Sequence, residues 1–166
     1  MQLPSLPPDE SSRIAALHAL NILDTPPEDR FDRLTRLAMR AFNVPIAAIN
    51  MIDTNRQWFK SIGGLSVCET SRDISFCAHA ILDDEILCVE NALKDERFHD
   101  NPLVVHDPKI RCYAGCPLRV NGFKMGTFCI VDKKPRPFTS EDRRLLKDLS
   151  GMAEQELATS EPKMSN

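Results

Sequence analysis

The sequence predicts an α+β sandwich: an antiparallel sheet with the terminal helices on one face and a short helix and loops on the other. Three observations lead there. The stretch Ile110 to Asp132 contains two alternating runs around Val120-Asn121-Gly122, the pattern of a hairpin. Each end of the chain carries an amphipathic helical segment with one apolar stripe, and both stripes need the same sheet face. The order of elements is helix, helix, two strands, short helix, strand, loop, two strands, helix, which gives an antiparallel sheet with helices on both faces.

In chain order, Leu3 to Pro8 is Pro-rich and reads as a mobile tip, so the domain is placed at residues 9–159 with a frayed tail at 160–166. Asp9 to Leu20 reads as a first helix with Ile14, Leu17 and Leu20 along one side. Thr25-Pro26-Pro27-Glu28 looks like a helix start, with Thr25 as cap and Glu28 completing a capping box. The second helix then runs to about Phe42, with Phe31, Leu34, Leu37, Ala38 and Ala41 at helical spacing.

Pro45 to Asp53 and Arg56 to Ile62 read as a hairpin turning at Thr54-Asn55. Asn50, Trp58 and Lys60 are polar or amphipathic residues in otherwise apolar strands. Solvation of Lys60 and packing of Trp58 are the plain readings, and Trp58 also stands as a candidate pocket residue. Gly63 to Asp73 is a loop containing Cys68, of a length that often covers sites. Ser75 to Leu82 reads as a short helix capped by Ser75, which puts Cys77 in the first turn, where free backbone amides favour a thiolate.

A third strand is expected at Glu85 to Glu90, followed by a polar stretch from Asp95 to Asp107 that either closes a pocket or forms a surface connection. In the central hairpin, a three-residue turn with Gly122 in the left-handed region pairs Arg119 with Phe123, so opposed residue numbers sum to 242. Cys112, Ala114, Cys116 and Leu118 then share a face with Phe128 and Ile130, and this apolar face reads as core. Arg111, Tyr113, Gly115 and Pro117 share the other with Thr127, Cys129 and Val131 and read as a pocket floor. A one-residue slip would exchange the two faces. Thr139 then opens a long last helix with Leu145, Leu146, Leu149, Met152, Ala153 and Leu157 as its stripe.

Composition narrows the function classes. At 166 residues the chain is long enough for one domain with a real core. A net charge of -3 without a basic block argues against nucleic acid as partner. No apolar run reaches membrane-spanning length, and the N-terminus has no signal-peptide pattern, so a cytoplasmic location is expected. The six cysteines lie mostly within apolar strand and helix patterns, which points to reduced thiols. Cys112 and Cys116, four apart on one strand and so roughly 13 Å from each other, cannot bridge each other. Cys77-Ala78-His79 supplies too few ligands for a metal, and no metal site is assigned.

Several motifs together resemble a known family. R-x-Y-A-G-x-P-L at Arg111, G-T-x-C-I-V-D at Gly126 and a Pro-Arg-Pro before the last helix are similar to GAF domains, above all those N-terminal to bacterial histidine kinases and diguanylate cyclases. Ile22 to Pro27, Arg56 to Ser61 and Ser75 to His79 extend the likeness, so that it spans roughly residues 10–158. The resemblance implies a GAF-like antiparallel sheet of about six strands, the sixth near Val104-Val105. It also implies a sensory or regulatory module that binds an unknown small molecule and signals to a partner in trans, commonly as a homodimer through the terminal helices.

Three functional readings remain open at this point. In the first, a ligand sits between the sheet and the segment Ser75 to Pro108, lined by Trp58, Phe76, Cys77, Ile81, Arg111, Tyr113, Thr127 and Cys129. Arg111 would orient a carboxylate or phosphate, or else pair with Asp107 or Asp132 over a collapsed pocket. In the second, the chain is a thiol-dependent reductase, since one branch of the GAF family reduces free methionine sulfoxide. That branch has a reactive cysteine before the R-x-Y strand and two aspartates on the next strand, whereas here Phe98 to Ile110 has no cysteine and the matching positions are Cys129 and Val131. Cys77 with Cys68 is the alternative thiol pair. In the third, the chain is a dimerisation module with a vestigial pocket. The Cys-His of bilin-attaching relatives and the N-K-F-D-E set of cyclic-nucleotide relatives are both absent, and the cofactor is left unassigned.

Overall fold

The structure, a computed structural model, describes residues 1–159; the tail expected to fray at 160–166 lies outside the described residues. Its elements are α1 (Glu10–Ala19), α2 (Asp29–Phe42), β1 (Ile46–Ile52), β2 (Arg56–Gly63), β3 (Glu69–Ser71), α3 (Phe76–Ala80), β4 (Leu87–Val89), α4 (Pro102–Val105), β5 (Cys112–Val120), β6 (Phe123–Asp132) and α5 (Ser140–Ala158). The six strands form one antiparallel sheet in the order β3-β2-β1-β6-β5-β4. Helices α1, α2 and α5 cover one face around Leu17, Phe31, Phe128, Ile130 and Leu146. α3 and α4 cover the other, around Phe76, Phe98, Val104, Tyr113 and Cys129. The α+β sandwich expected from the sequence is the fold observed.

The central hairpin keeps its predicted faces by an unpredicted route. The turn has two residues, not three: Asn121 and Gly122, with φ of 54° and 82°, both left-handed as a type I′ turn requires. Val120 therefore pairs with Phe123 and Arg119 with Lys124. That register alone would flip the faces, because its residue numbers sum to an odd value. Met125 then bulges out of the ladder, so that Leu118 pairs with Gly126 and Cys112 with Asp132. The sum becomes 244, even like the predicted 242, and Cys112, Ala114 and Cys116 stay under the helices while Tyr113 and Cys129 stay on the other face. Arg13 of α1, 1 % exposed, donates to the carbonyls of Lys124 and Met125 at 3.3 and 3.5 Å and supplies partners for backbone that the bulge takes out of register.

Three other expectations are corrected. The helix start at Thr25 is too early, since Pro26 precedes Pro27 and a residue before proline is held out of helical geometry; α2 begins at Asp29 with Glu28 as its cap. Lys60 is not solvated. It sits at a second bulge, between Asn50↔Phe59 and Ile49↔Ser61, and its buried Nζ donates to Thr25 Oγ1 and Pro26 O at 2.8 and 2.6 Å and pairs with Glu28 at 2.7 Å. The sixth strand is Glu69–Ser71 in the Cys68 loop, while Val104-Val105 belong to a helical turn that Asn101 caps and Pro102 begins. At the N-terminus, Gln2 N donates to Arg97 O at 3.2 Å and the terminal amine pairs with Asp100.

The stripe of α5 is divided. Leu146, Leu149, Ala153 and Leu157 are buried, Leu145 is half-buried, and Met152 is 48 % exposed. Leu146→Ala should therefore cost about 2–5 kcal/mol in urea denaturation and Met152→Ala no more than about 0.5 kcal/mol. Equal costs would contradict this placement of the helix.

Candidate functional site

A cavity of about 500 Å³ lies between the α3/α4 face of the sheet and the loops that carry Leu65, Val67, Asp107 and Pro108. The volume falls within the roughly 300–1,000 Å³ typical of small-molecule sites. Ile46, Ala48 and Val131 give it an apolar floor, Phe59, Ile62 and Leu103 line its walls, and Asp107 and Lys133 bring opposite charges to it. Phe76 stacks on Phe98 with ring centroids 4.0 Å apart and tilts against Tyr113 at 5.2 Å, which fixes the wall beside α3.

At one end of the cavity is Cys77. Ser75 caps α3 by accepting from Ala78 N at 3.0 Å, and this sets Cys77 in the first turn facing the sheet. Four side chains from four strands donate to its sulfur: Asn50 Nδ2 of β1 at 3.3 Å, Gln57 Nε2 of β2 at 3.3 Å, Tyr113 Oη of β5 at 3.1 Å and Thr127 Oγ1 of β6 at 3.1 Å. Asn50 Nδ2 also donates to Thr127 Oγ1 at 3.0 Å and lies 3.8 Å from Cys129 Sγ. A neutral thiol is a weak acceptor, so this convergence of donors favours the thiolate.

The titration directions follow from this arrangement. Burial pushes the Cys77 thiol up, but hydrogen bonds from Cys129, Thr127, Tyr113 and Asn50 outweigh it and bring it from 9.0 down to about 7. Cys129 moves well above its ordinary value because it holds its proton toward Cys77 and is buried beside that charge. Burial, followed by the charges of Cys77 and Cys129, raises Tyr113 likewise. Of the pair, Cys77 is the sulfur that loses its proton more readily and Cys129 the one that keeps it. Gly115 makes the Tyr113 contact possible: a Cβ there would lie 2.0 Å from Tyr113 Oη, so the tyrosine passes over a bare backbone to reach the sulfur.

Of the residues singled out from sequence, Phe76, Cys77, Tyr113 and Cys129 line the cavity together. Thr127 is fully buried beneath it as a donor to Cys77. Ile81 packs in the surrounding core. Trp58 is on the opposite face, opposed to Met51 under the helices, because β2 alternates from Gln57. Arg111 neither faces the cavity nor pairs with an aspartate; its Nη1 donates to Val104 O and Ile110 O at 2.9 and 3.1 Å and braces the α4 segment. Sequence reasoning passed over Asn50 and Gln57 as site residues. The signal for Asn50 was its position as the polar residue inside an apolar strand, but nothing in the sequence marks Gln57. All six cysteines are free, and among the described residues no three His, Cys, Asp or Glu side chains come together as a metal-ligand set.

Residues 26–157 match the GAF domain family. The chain belongs to that family. It is 40 % identical over 148 residues to a cyclic di-GMP phosphodiesterase of Pseudomonas aeruginosa, a match covering 88 % of this chain and 25 % of that protein, so the chain spans about a quarter of its curated relative. Among solved structures, it superposes on the GAF domain of an Acinetobacter phosphoenolpyruvate-protein phosphotransferase with a TM-score of 0.66 at 21 % identity, covering 90 % of this chain and 94 % of that one. Free methionine-R-sulfoxide reductase from Neisseria meningitidis, solved with its substrate, gives 0.64 at 14 % identity over 96 % and 98 % of the two chains. At such identities the structural matches establish the GAF fold and nothing finer.

The alkylation rate of Cys77 against pH should titrate near 7. Tyr113→Phe and Thr127→Val should each move that midpoint up by about 1–2 units, since a hydrogen bond to a charged group contributes about 1.5–3 kcal/mol; Gly115→Ala should move it in the same direction. Because the folded value lies below the unfolded one, Cys77 contributes stability that is complete above pH 9 and disappears as pH falls through 7. The stability difference between the unmodified protein and Cys77→Ser should therefore widen from pH 7 to 9, and a flat difference would exclude the thiolate.

Proposed function

We propose that this GAF domain is a sensory module whose cavity binds a small, mainly apolar molecule and passes its occupancy to an output domain or partner. The observation that carries this reading is the cavity itself, with walls formed by Phe59, Ile62, Phe76 and Leu103 and polar groups confined to a few positions, among them Gln57 and Thr70. Thr70 Oγ1 is buried without a partner, a hydrogen-bonding atom that a ligand could satisfy. The lining, in which Lys133 is the only cation, favours an apolar body over the carboxylate or phosphate expected when Arg111 was placed there. The similarity to a phosphodiesterase that this chain covers by only a quarter supports a regulatory role beside such an output rather than the hydrolysis itself.

Native mass spectrometry of freshly purified protein should find one retained small molecule per chain, and Ala48→Trp should remove it without changing circular dichroism. Added ligand at about 100 times its Kd should contribute about 2.7 kcal/mol and raise Tm by roughly 5–10 °C. No retained molecule, and no shift with a panel of small apolar acids and aromatics, would leave the interaction-module reading.

The homodimer belongs to the same proposal. Leu37 on α2 is 44 % exposed and Met152 on α5 is 48 % exposed, and these two helices pack side by side. A second copy of the chain joined through this face forms a helix bundle. Leu37→Glu with Met152→Glu should give a folded monomer by sedimentation, whereas Leu146 is part of the core and is no test of the interface. An unmodified protein that sediments as a monomer at micromolar concentration would exclude the dimer.

A further inference from the structure

We propose that Cys77 and Cys129 form a hydroperoxide-reactive thiol pair at the end of the cavity, Cys77 as the attacking sulfur and Cys129 as the resolving one. The proposal goes beyond ligand binding, but it rests on the same cavity admitting small molecules. Three observations carry it. Both cysteines line the cavity, one from α3 and one from β6. The donors on Cys77 come from Asn50, Gln57, Tyr113 and Thr127 at 3.1–3.3 Å, a set that favours an anionic sulfur. The two sulfurs share one amide nitrogen, that of Asn50, at 3.3 and 3.8 Å. The other atom of that amide, Oδ1, is buried without a partner, in a residue that is 0 % exposed. It is an acceptor beside the pair, open to a hydroxyl that the resting cluster does not contain.

The chemistry balances with a hydroperoxide as oxidant. Cys77 Sγ attacks the distal oxygen, an S–O bond forms and the O–O bond breaks. The hydroperoxide is reduced to its alcohol, which leaves with the hydroperoxide's own proton, and the sulfur is oxidised to a sulfenate that takes one proton from solvent. The sulfenic hydroxyl is the donor that Asn50 Oδ1 lacks. The Cys129 sulfur then attacks Cys77 Sγ, the S–S bond forms, the S–O bond breaks, and the oxygen departs as water with the Cys129 proton. Cys112 and Cys116 lie on the helix side of the sheet, away from the cavity, and burial raises both thiols. They take no part.

The test treats the reduced chain with cumene hydroperoxide and, separately, with hydrogen peroxide, followed by intact-mass and peptide mapping. The expected result is the loss of two hydrogens, a Cys77–Cys129 peptide pair, and Cys77 oxidation at least tenfold faster than that of Cys112 or Cys116. Cys129→Ser should stop at a sulfenic acid on Cys77 that dimedone traps, and this variant separates chemistry from misfolding because the attacking sulfur is intact. A disulfide formed by hydrogen peroxide but not by cumene hydroperoxide supports the thiol pair and counts against the apolar-ligand reading, so the two fail separately. Cys77 unmodified by either oxidant while Cys68 or Cys88 reacts, or Cys77 oxidised in the Cys129→Ser chain with no disulfide in the unmodified one, overturns the proposal.

Discussion

The structure depends on the register of the β5–β6 hairpin. These two strands lie side by side in the sheet, and their alternation decides which side chains meet the helices and which meet the cavity. The Asn121-Gly122 turn fixes the local pairing at an odd sum, and the Met125 bulge restores even parity before the strands reach their chemically distinctive residues. Were the bulge absent, Cys112 and Cys116 would face α3 and the Tyr113 hydroxyl would be driven under α5. The buried Arg13, held by Glu10 at 3.0 Å on one side and the bulge carbonyls on the other, ties α1 to this point. Glu10 also receives Arg72 at 2.6 Å from the loop before α3, so the first helix links the bulge on one side of the sheet to the segment that presents Cys77.

Within that frame, polar groups enter the interior only where they have work with one another. Asn50, Gln57, Tyr113 and Thr127 each come from a different strand of an otherwise apolar surface. Each donates to one sulfur, and Asn50 Oδ1 is left without a partner. Buried polar atoms without partners cost about 1–3 kcal/mol each, so the strands tolerate these residues because the thiolate is there. On the helix face the same logic applies to Lys60, whose ammonium is enclosed by Thr25, Pro26 and Glu28.

Much of this was legible in the sequence, for identifiable reasons. Period-two alternation in Ile110 to Asp132 survives a two-residue error in register, because a shift from 242 to 244 leaves every face unchanged. The Ser75 and Thr139 caps are local chemistry and appear where expected, Thr139 as a complete capping box with Asp142. What the sequence hid depends on contacts distant along the chain. Trp58 was misplaced as a pocket residue because the phase of β2 is set by pairing with β1. Arg111 attracts a ligand hypothesis by its charge, and only the fold reveals nearby carbonyls at Val104 and Ile110. Gln57 carries no local mark at all; its role comes from Cys77, twenty residues later and on another element.

The convergence of donors from β1, β2, β5 and β6 on a single sulfur has a mechanical meaning. These four strands are consecutive neighbours in the sheet, in the order β2-β1-β6-β5, so the sulfur acts as a keystone held from above by a five-residue helix. Neutralising that atom, by proton or by bond, breaks no backbone hydrogen bond, yet it takes away the charge on which several buried side-chain donors converge. Those donors stand on four strands, so they span the width of the sheet as well as the cavity wall. The opposite face of those strands carries α2 and α5, so the sulfur and the helices bear on the two sides of one sheet a single layer thick.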